Sequence, residues 1–261
     1  MNILTEKKEG VAWVTLNRPE VRNAFDDASI AELKTAFHEV QEDRSVRALV
    51  LAGNGPAFCA GADLNWMKRM ARYGYEENVA DARALADMLA ALDRMPKPTI
   101  ARVHGPAFAG GTGLVAACDI ALGTPDAKFC FSEAKLGLSP ATISPYVIRA
   151  IGERAARRYF LSAEIFDASE AQRLGLLSTV VLSTELDSAI QTLLQHLLAG
   201  GSEAHRKIKE LIREVSLHPP DEALITETAR RIAEIRVSPE GKEGIASFLE
   251  KRKPSWAPGK S

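Results

Sequence analysis

An α/β domain with a largely parallel sheet, continued by an almost wholly helical tail, is the fold class this sequence predicts. Three observations carry it. Short apolar and β-branched runs alternate with helical patterns through about residue 130, which requires crossover connections between parallel strands. Two of the strand-to-helix junctions are built from small residues and glycine. From Pro140 onward the pattern turns almost entirely helical.

The strands read as residues 11–16 (VAWVTL), 47–52 (RALVLA) and 99–103 (TIARV), with a fourth resuming at Cys118-Asp119-Ile120-Ala121-Leu122. Between them, residues 28–42 carry Ile30, Leu33, Phe37 and Val40 at three- and four-residue steps behind the capping-competent Asp26-Asp27, and 64–70 and 76–92 read the same way. In the tail, helical stripes cover 147–151, 154–161, 185–198, 202–215, 223–235 and 240–251, more apolar face than the tail's own core can use.

At 261 residues, with 46% apolar and 26% charged residues, the chain can bury a sizeable core. A net charge of −1 supplies no general field for nucleic acid. The start, MNILTEKK, lacks the apolar stretch of a secretory signal, and the longest apolar run, around Leu114 to Leu122, is too short and too interrupted to span a membrane. Three scattered cysteines, Cys59, Cys118 and Cys130, fit a reducing cytoplasm, and five histidines in no ligand spacing predict no metal site.

The chemistry is concentrated in Phe58-Cys59-Ala60-Gly61-Ala62-Asp63-Leu64 and in the run from His104 to Gly113 leading to Cys118-Asp119. Each follows a strand and opens a helix. Small residues let a ligand approach the backbone, and a helix N-terminus offers unpaired N–H groups with a partial positive charge. Two such junctions in one fold can hold a single oxygen that becomes negative during reaction, which points to enolate or oxyanion chemistry. Gly111-Thr112-Gly113-Leu114-Val115-Ala116 also fits a dinucleotide fingerprint, but His104 to Gly110 intervene between strand and glycines and only a short helix follows.

These residues resemble the crotonase, or enoyl-CoA hydratase/isomerase, superfamily across nearly the whole chain. The likeness rests on Leu16-Asn17-Arg18-Pro19 with Asn23-Ala24, the two glycine segments, Cys118-Asp119-Ile120, Ser132-Glu133 with Leu136-Gly137 and Pro140, residues 171–176, and the ending Phe248 to Pro254. It implies a crotonase-like spiral of ββα units over residues 1–200 and a helical trimerisation region over 201–261, in a homotrimer or dimer of trimers. It places a thioester carbonyl between the N–H groups of Ala62 and Gly110 and makes Glu133 the proton-transfer residue, in an apolar setting with Phe129 and Phe131. Coenzyme A would run past Arg22, Ala24, Ala60, Asp63, Leu64, Asn65 and Gly111, with Lys251 reaching a phosphate, and Gly113, Pro140, Ala141 and Tyr146 would line the acyl pocket. No cofactor is implied, since coenzyme A is part of the substrate.

One departure bears on the reaction. Familiar hydratases of this family carry a second glutamate where this chain has Gly113, and the glycine-rich stretch after the proline reads Ala141-Thr142-Ile143-Ser144-Pro145-Tyr146. Both changes resemble the methylglutaconyl-CoA and isohexenylglutaconyl-CoA hydratases, which implies a branched, carboxylated enoyl-CoA. A Δ-isomerase, a decarboxylase or a catalytically silent acyl-CoA-binding protein are the alternatives.

Overall fold

A computed structural model describes residues 1–257 of the chain; residues 258–261, the end of the expected tail, lie outside the described residues. The elements in order are β1 (Ile3–Lys8), β2 (Val11–Leu16), α1 (Asp27–Glu42), β3 (Ala48–Gly53), α2 (Leu64–Met70), α3 (Tyr75–Asp93), β4 (Thr99–Val103), β5 (Ala107–Phe108), α4 (Gly110–Ala117), β6 (Ile120–Gly123) and β7 (Lys128–Cys130). There follow α5 (Ser144–Ser162), β8 (Phe166–Asp167), α6 (Ala168–Leu174), β9 (Thr179–Val180), α7 (Leu186–Ala199), α8 (Ser202–Val215), α9 (Glu222–Val237) and α10 (Pro239–Leu249).

The main sheet runs β1-β2-β3-β4-β6-β9, and every neighbouring pair in it is parallel except β1 with β2. That exception is a hairpin absent from the sequence reading. Glu9 (φ 51°) and Gly10 (φ 80°) make its tight turn, with both positions left-handed as a two-residue hairpin requires. A second sheet, β5-β7-β8, is made of strands of two or three residues, too short to leave a periodic pattern.

Helix α1 forms as expected. Asp26 caps it by accepting the Ser29 N–H at 2.7 Å, and Ile30, Leu33, Phe37 and Val40 are all buried. The stripes at 147–151 and 154–161 belong to one element, α5, broken at Gly152, whose φ of 76° and ψ of 158° are open only to glycine. The chain separates into two compact units, Met1–Gln191 and the remainder from Thr192, so this division falls inside α7, whereas the resemblance implies a boundary at 200/201. In the first unit the core gathers Phe25, Phe37, Phe58, Phe129 and Phe131 with the sheet residues. In the second, Glu240 of α10 accepts the Glu203 and Ala204 N–H groups that open α8. Among the described residues no helix is long and apolar enough to cross a membrane.

Candidate active site

The two glycine segments are bonded directly to each other. The Phe58 and Cys59 N–H groups donate to the Pro106 carbonyl at 3.0 and 3.2 Å, and the Phe108 N–H donates back to the Cys59 carbonyl at 2.9 Å. Gly61 (φ 97°) closes the junction: a Cβ there would sit 3.2 Å from the Phe108 carbonyl oxygen and 3.3 Å from the Ala109 Cβ. A Cβ on Gly111 would lie 2.5 Å from the Cys59 carbonyl oxygen, so backbone meets backbone where any side chain would separate the segments. His104 adds a tie, its Nε2–H donating to the Gly55 carbonyl at 2.8 Å.

Ala62 is the centre of a parallel bridge to Phe25. The Phe25 N–H donates to the Gly61 carbonyl and the Asp63 N–H to the Phe25 carbonyl, both at 2.7 Å. Because both bonds use the peptides flanking Ala62, its own N–H is turned away from Phe25 and is left available. On the other segment, the N–H groups of Gly110, Gly111 and Thr112 precede the first turn-closing bond of α4, from Gly113 to Ala109 at 3.1 Å. The peptide carrying the Gly110 N–H is set by Ala109, an alanine at φ 48° and ψ −116°, held there by its own N–H bond to the Cys130 carbonyl at 2.8 Å. Such a conformation costs on the order of 1–3 kcal/mol and persists only where the surroundings impose it.

One residue touches both donors. Phe25 brackets Ala62 with its backbone, and its ring lies against Gly110 so closely that a Cβ there would be 2.6 Å from Cε2. Phe25 was not among the expected site residues. Position 25 looks like one more core aromatic in the sequence, with no local signal of this double contact.

Glu133 sits in the 3-10 turn Ser132–Leu136, which Gly137 (φ 71°) terminates. One carboxylate oxygen, Oε2, is buried and has no hydrogen-bond partner among the described residues. Burial pushes the Glu133 carboxyl above its ordinary range, with its own backbone N–H acting weakly the other way. An unpartnered acid of raised affinity for protons is suited to taking and returning one. The Phe131 ring packs edge-on to Phe160 at 4.8 Å and the Phe129 ring stacks on Phe166 at 5.5 Å, so both belong to an aromatic cluster next to the turn. Cys59, by contrast, is pushed up to about 12 by burial and is no nucleophile at neutral pH.

Gly113 is buried in α4, and the space beside it is occupied. A Cβ there would come within 2.3 Å of Ile143 Cγ2 and 2.9 Å of Ile143 Cβ. Ile143, the residue before α5, is itself buried. Pro140 and Ala141 turn the chain into α5, their carbonyls accepting the Ser144 N–H at 3.0 Å and the Ser144 hydroxyl at 2.8 Å. Tyr146 is half-buried, with the Arg149 guanidinium 5.8 Å from its ring centre.

The residues expected along coenzyme A are placed unevenly. Arg22 is exposed and its carbonyl accepts the Ala60 N–H at 2.9 Å, which joins those two positions. Leu64, 73% exposed, and Asn65 face outward at the start of α2. Ala24 is buried, and its carbonyl accepts from Arg18 at 2.8 Å. Asp63 is buried as the cap of α2, with Oδ1 accepting the Asn65 and Trp66 N–H groups and Oδ2 facing Arg18, so its carboxylate is engaged within the protein. Lys251 is exposed just beyond α10, in the second unit. Among the described residues no cluster of His, Cys, Asp and Glu could hold a metal ion.

Residues 6–259 match the protein family described as Enoyl-CoA hydratase/isomerase. An enoyl-CoA hydratase from Shewanella pealeana superposes with a TM-score of 0.96 at 42% identity, covering 98% of this chain and 96% of that one. Pseudomonas aeruginosa AtuE superposes with a TM-score of 0.94 at 38% identity, covering 99% and 100%. A crotonyl-CoA hydratase from Syntrophomonas wolfei is 32% identical over 257 residues, 98% of this chain and 97% of that protein.

Proposed function

The chain belongs to the enoyl-CoA hydratase/isomerase family and has the crotonase fold, and from that premise we propose that it adds water reversibly to a branched, carboxylated 2-enoyl-CoA, 3-methylglutaconyl-CoA or a related isohexenylglutaconyl-CoA. Enoyl-CoA hydration, a hydro-lyase reaction on a CoA thioester, is the activity named for its relatives. The thioester carbonyl lies between the Ala62 and Gly110 N–H groups. As the water oxygen bonds to C3, the C2–C3 π pair shifts to form the C1–C2 double bond and the carbonyl π pair moves onto the thioester oxygen, where each donor contributes about 3 kcal/mol to the transition state. Glu133 takes the proton the water gives up and returns it to C2 as the enolate collapses, so water adds with no net change in the enzyme.

The observation that carries the acid-base role is the buried, unpartnered Oε2 of Glu133. The substrate class rests on Gly113: no carboxylate stands there, and Ile143 fills the place of one. The second hydrogen bond to water then comes from the substrate's own distal carboxylate or from the segment Thr142 to Tyr146. One carboxyl with no second acid also suits a Δ-isomerase or a decarboxylase, which need the same oxyanion donors. Homotrimer assembly, or a dimer of trimers, is supported by the exposed apolar residues of α8 to α10, among them Ile212, Ile225, Phe248 and Leu249. Breakdown of leucine in the cytoplasm is the setting that fits this substrate.

The test compares turnover of crotonyl-CoA and 3-methylglutaconyl-CoA by the purified protein, with mass analysis of the product. Gain of one water on the carboxylated substrate, with crotonyl-CoA slower chiefly in kcat, is expected, because a group used in the transition state is missing from the neutral one. Equal turnover of the two refutes the substrate class. Loss of carbon dioxide selects the decarboxylase.

A further inference from the structure

Arg18 reaches with its side chain three groups that no local pattern connects to it. It follows β2 in a loop closed on itself: the Arg18 N–H donates to the Asn23 side-chain oxygen and the Asn23 N–H to the Arg18 carbonyl, both at 2.8 Å. Arg22 (φ 54°) and Asn23 (φ 57°) take left-handed conformations to make that closure, and Asn23 Nδ2 donates onward to the Asn54 and Ala57 carbonyls. The guanidinium is therefore delivered from a rigid base. From there Nη1 donates to the Ala24 carbonyl at 2.8 Å and lies 3.1 Å from Asp26 Oδ2, while Nη2 donates to Asp63 Oδ2 at 3.0 Å.

Those two aspartates do the same work at different helices. Asp26 Oδ1 accepts the N–H that opens α1, and Asp63 Oδ1 accepts the two that open α2. Each carboxylate spends one oxygen on a helix start and offers the other to Arg18. A planar fork with several fixed donors can hold both at once, which a lysine ammonium on a flexible stem does not do. Between Ala24 and Asp26 lies Phe25, and beside Asp63 lies Ala62, so the clamp closes around the bridge that aims the Ala62 N–H and around the ring that seats Gly110.

We infer that Arg18 is a positioning residue for the oxyanion site: by clamping the cap carboxylates of α1 and α2 it sets the separation of the Ala62 and Gly110 N–H donors. This rests on the reading of those two N–H groups as the oxyanion donors, and on no particular acyl group. The role predicts a specific defect, since a donor displaced by a fraction of an ångström still admits the ligand but no longer meets the developing charge. Asp63 agrees with it. Burial pushes its carboxyl up, yet the N–H groups of Trp66 and Asn65 and the Arg18 guanidinium reverse this and hold it below the ordinary carboxylate range.

The experiment uses butyryl-CoA, a saturated thioester that cannot be hydrated, so that the donors are read apart from substrate identity. Exchange of its α-proton in D2O reports enolate stabilisation. The infrared stretch of its 13C-labelled carbonyl, when bound, reports polarisation by the two N–H groups. For Arg18→Ala the expected result is exchange lowered about 10- to 100-fold, loss of most of the carbonyl shift, and a Kd for butyryl-CoA within about threefold of the parent. Added guanidinium ion is expected to restore part of the exchange, and ethylammonium less. Arg69→Gln, which cuts the exposed pair of α2 with Asp27, is expected to match the parent in both readouts. If Arg18→Ala does not fold, Arg18→Lys is read in its place with the same expectations, guanidinium rescue aside. A folded variant that keeps parental exchange and carbonyl shift overturns the inference. A parent protein that shows neither exchange nor shift overturns the oxyanion reading beneath it.

Discussion

Replacing Gly110 by alanine separates two things that glycine supplies at once, a backbone donor and room for a ring. The alanine keeps the N–H. Its Cβ would lie 2.6 Å from Phe25 Cε2 and 3.1 Å from Cδ2, so the nearer contact falls about 0.8 Å short of the 3.4 Å at which ordinary packing begins. Phe25 is fully buried in the core cluster and has no open direction in which to swing, so either its ring or the first turn of α4 must give way. Overpacking of this kind costs about 1–3 kcal/mol, or roughly 2–10 °C in Tm for a chain of this size. Because the same Phe25 backbone brackets Ala62, the displacement reaches both donors, and a misplacement approaching 1 Å lowers the rate about 100-fold. Gly110→Pro carries the same steric load, lacks the N–H, and also disturbs the helix start, because a proline disfavours the φ 48°, ψ −116° backbone of Ala109 before it. Its turnover is expected about 100- to 1000-fold below that of Gly110→Ala, the loss of one oxyanion donor. Thermal unfolding and α-proton exchange of butyryl-CoA on the two variants supply both numbers, and Phe25→Leu added to Gly110→Ala is expected to recover part of the stability. Equal exchange by the alanine and proline variants would refute the Gly110 N–H as a donor. Parental rate and Tm in Gly110→Ala would refute Phe25 as the spacer.

Glu133→Gln is expected to lower turnover by about 100-fold or more while CoA thioester binding, followed by calorimetry, persists. It also has a pH signature. Burial raises the Glu133 pKa in the folded protein, so its stabilising contribution is present below the unfolded-state pKa and is lost as pH rises through the folded value. The Gln variant is therefore expected to be more stable relative to the parent at pH 8 than at pH 4 in urea unfolding, and an equal difference at both would contradict the burial. Gly113→Glu by itself is expected to lose at least about 2 kcal/mol without gaining crotonyl-CoA hydration, because Ile143 already fills the site. Combined with Ile143→Gly, it is expected to be less destabilised than the two single changes added together and to hydrate crotonyl-CoA faster than the parent; a Gly113→Glu protein of parental stability would refute the contact.

What could be read from the sequence was what neighbours within a few residues decide. The Ile30-Leu33-Phe37-Val40 stripe and its Asp26 cap, the helical stripes on either side of Gly152, and the two glycine segments at strand-to-helix junctions all express local rules of periodicity, capping and backbone freedom, and the structure holds them where those rules place them. The hairpin of β1 with β2 escaped because β1 is exposed along most of its length and shows no apolar alternation, and β5, β7 and β8 because strands so short have no period to display. The site's inner geometry was decided only by tertiary structure. Arg18 meets Asp63 across 45 residues, the Phe25 ring seats Gly110, and Ile143 takes the volume beside Gly113. Each of these depends on where separate elements come to rest against one another. Local sequence decides which peptide groups are free to donate, whereas side chains remote in the chain decide how far apart those groups stand and what space is left between them.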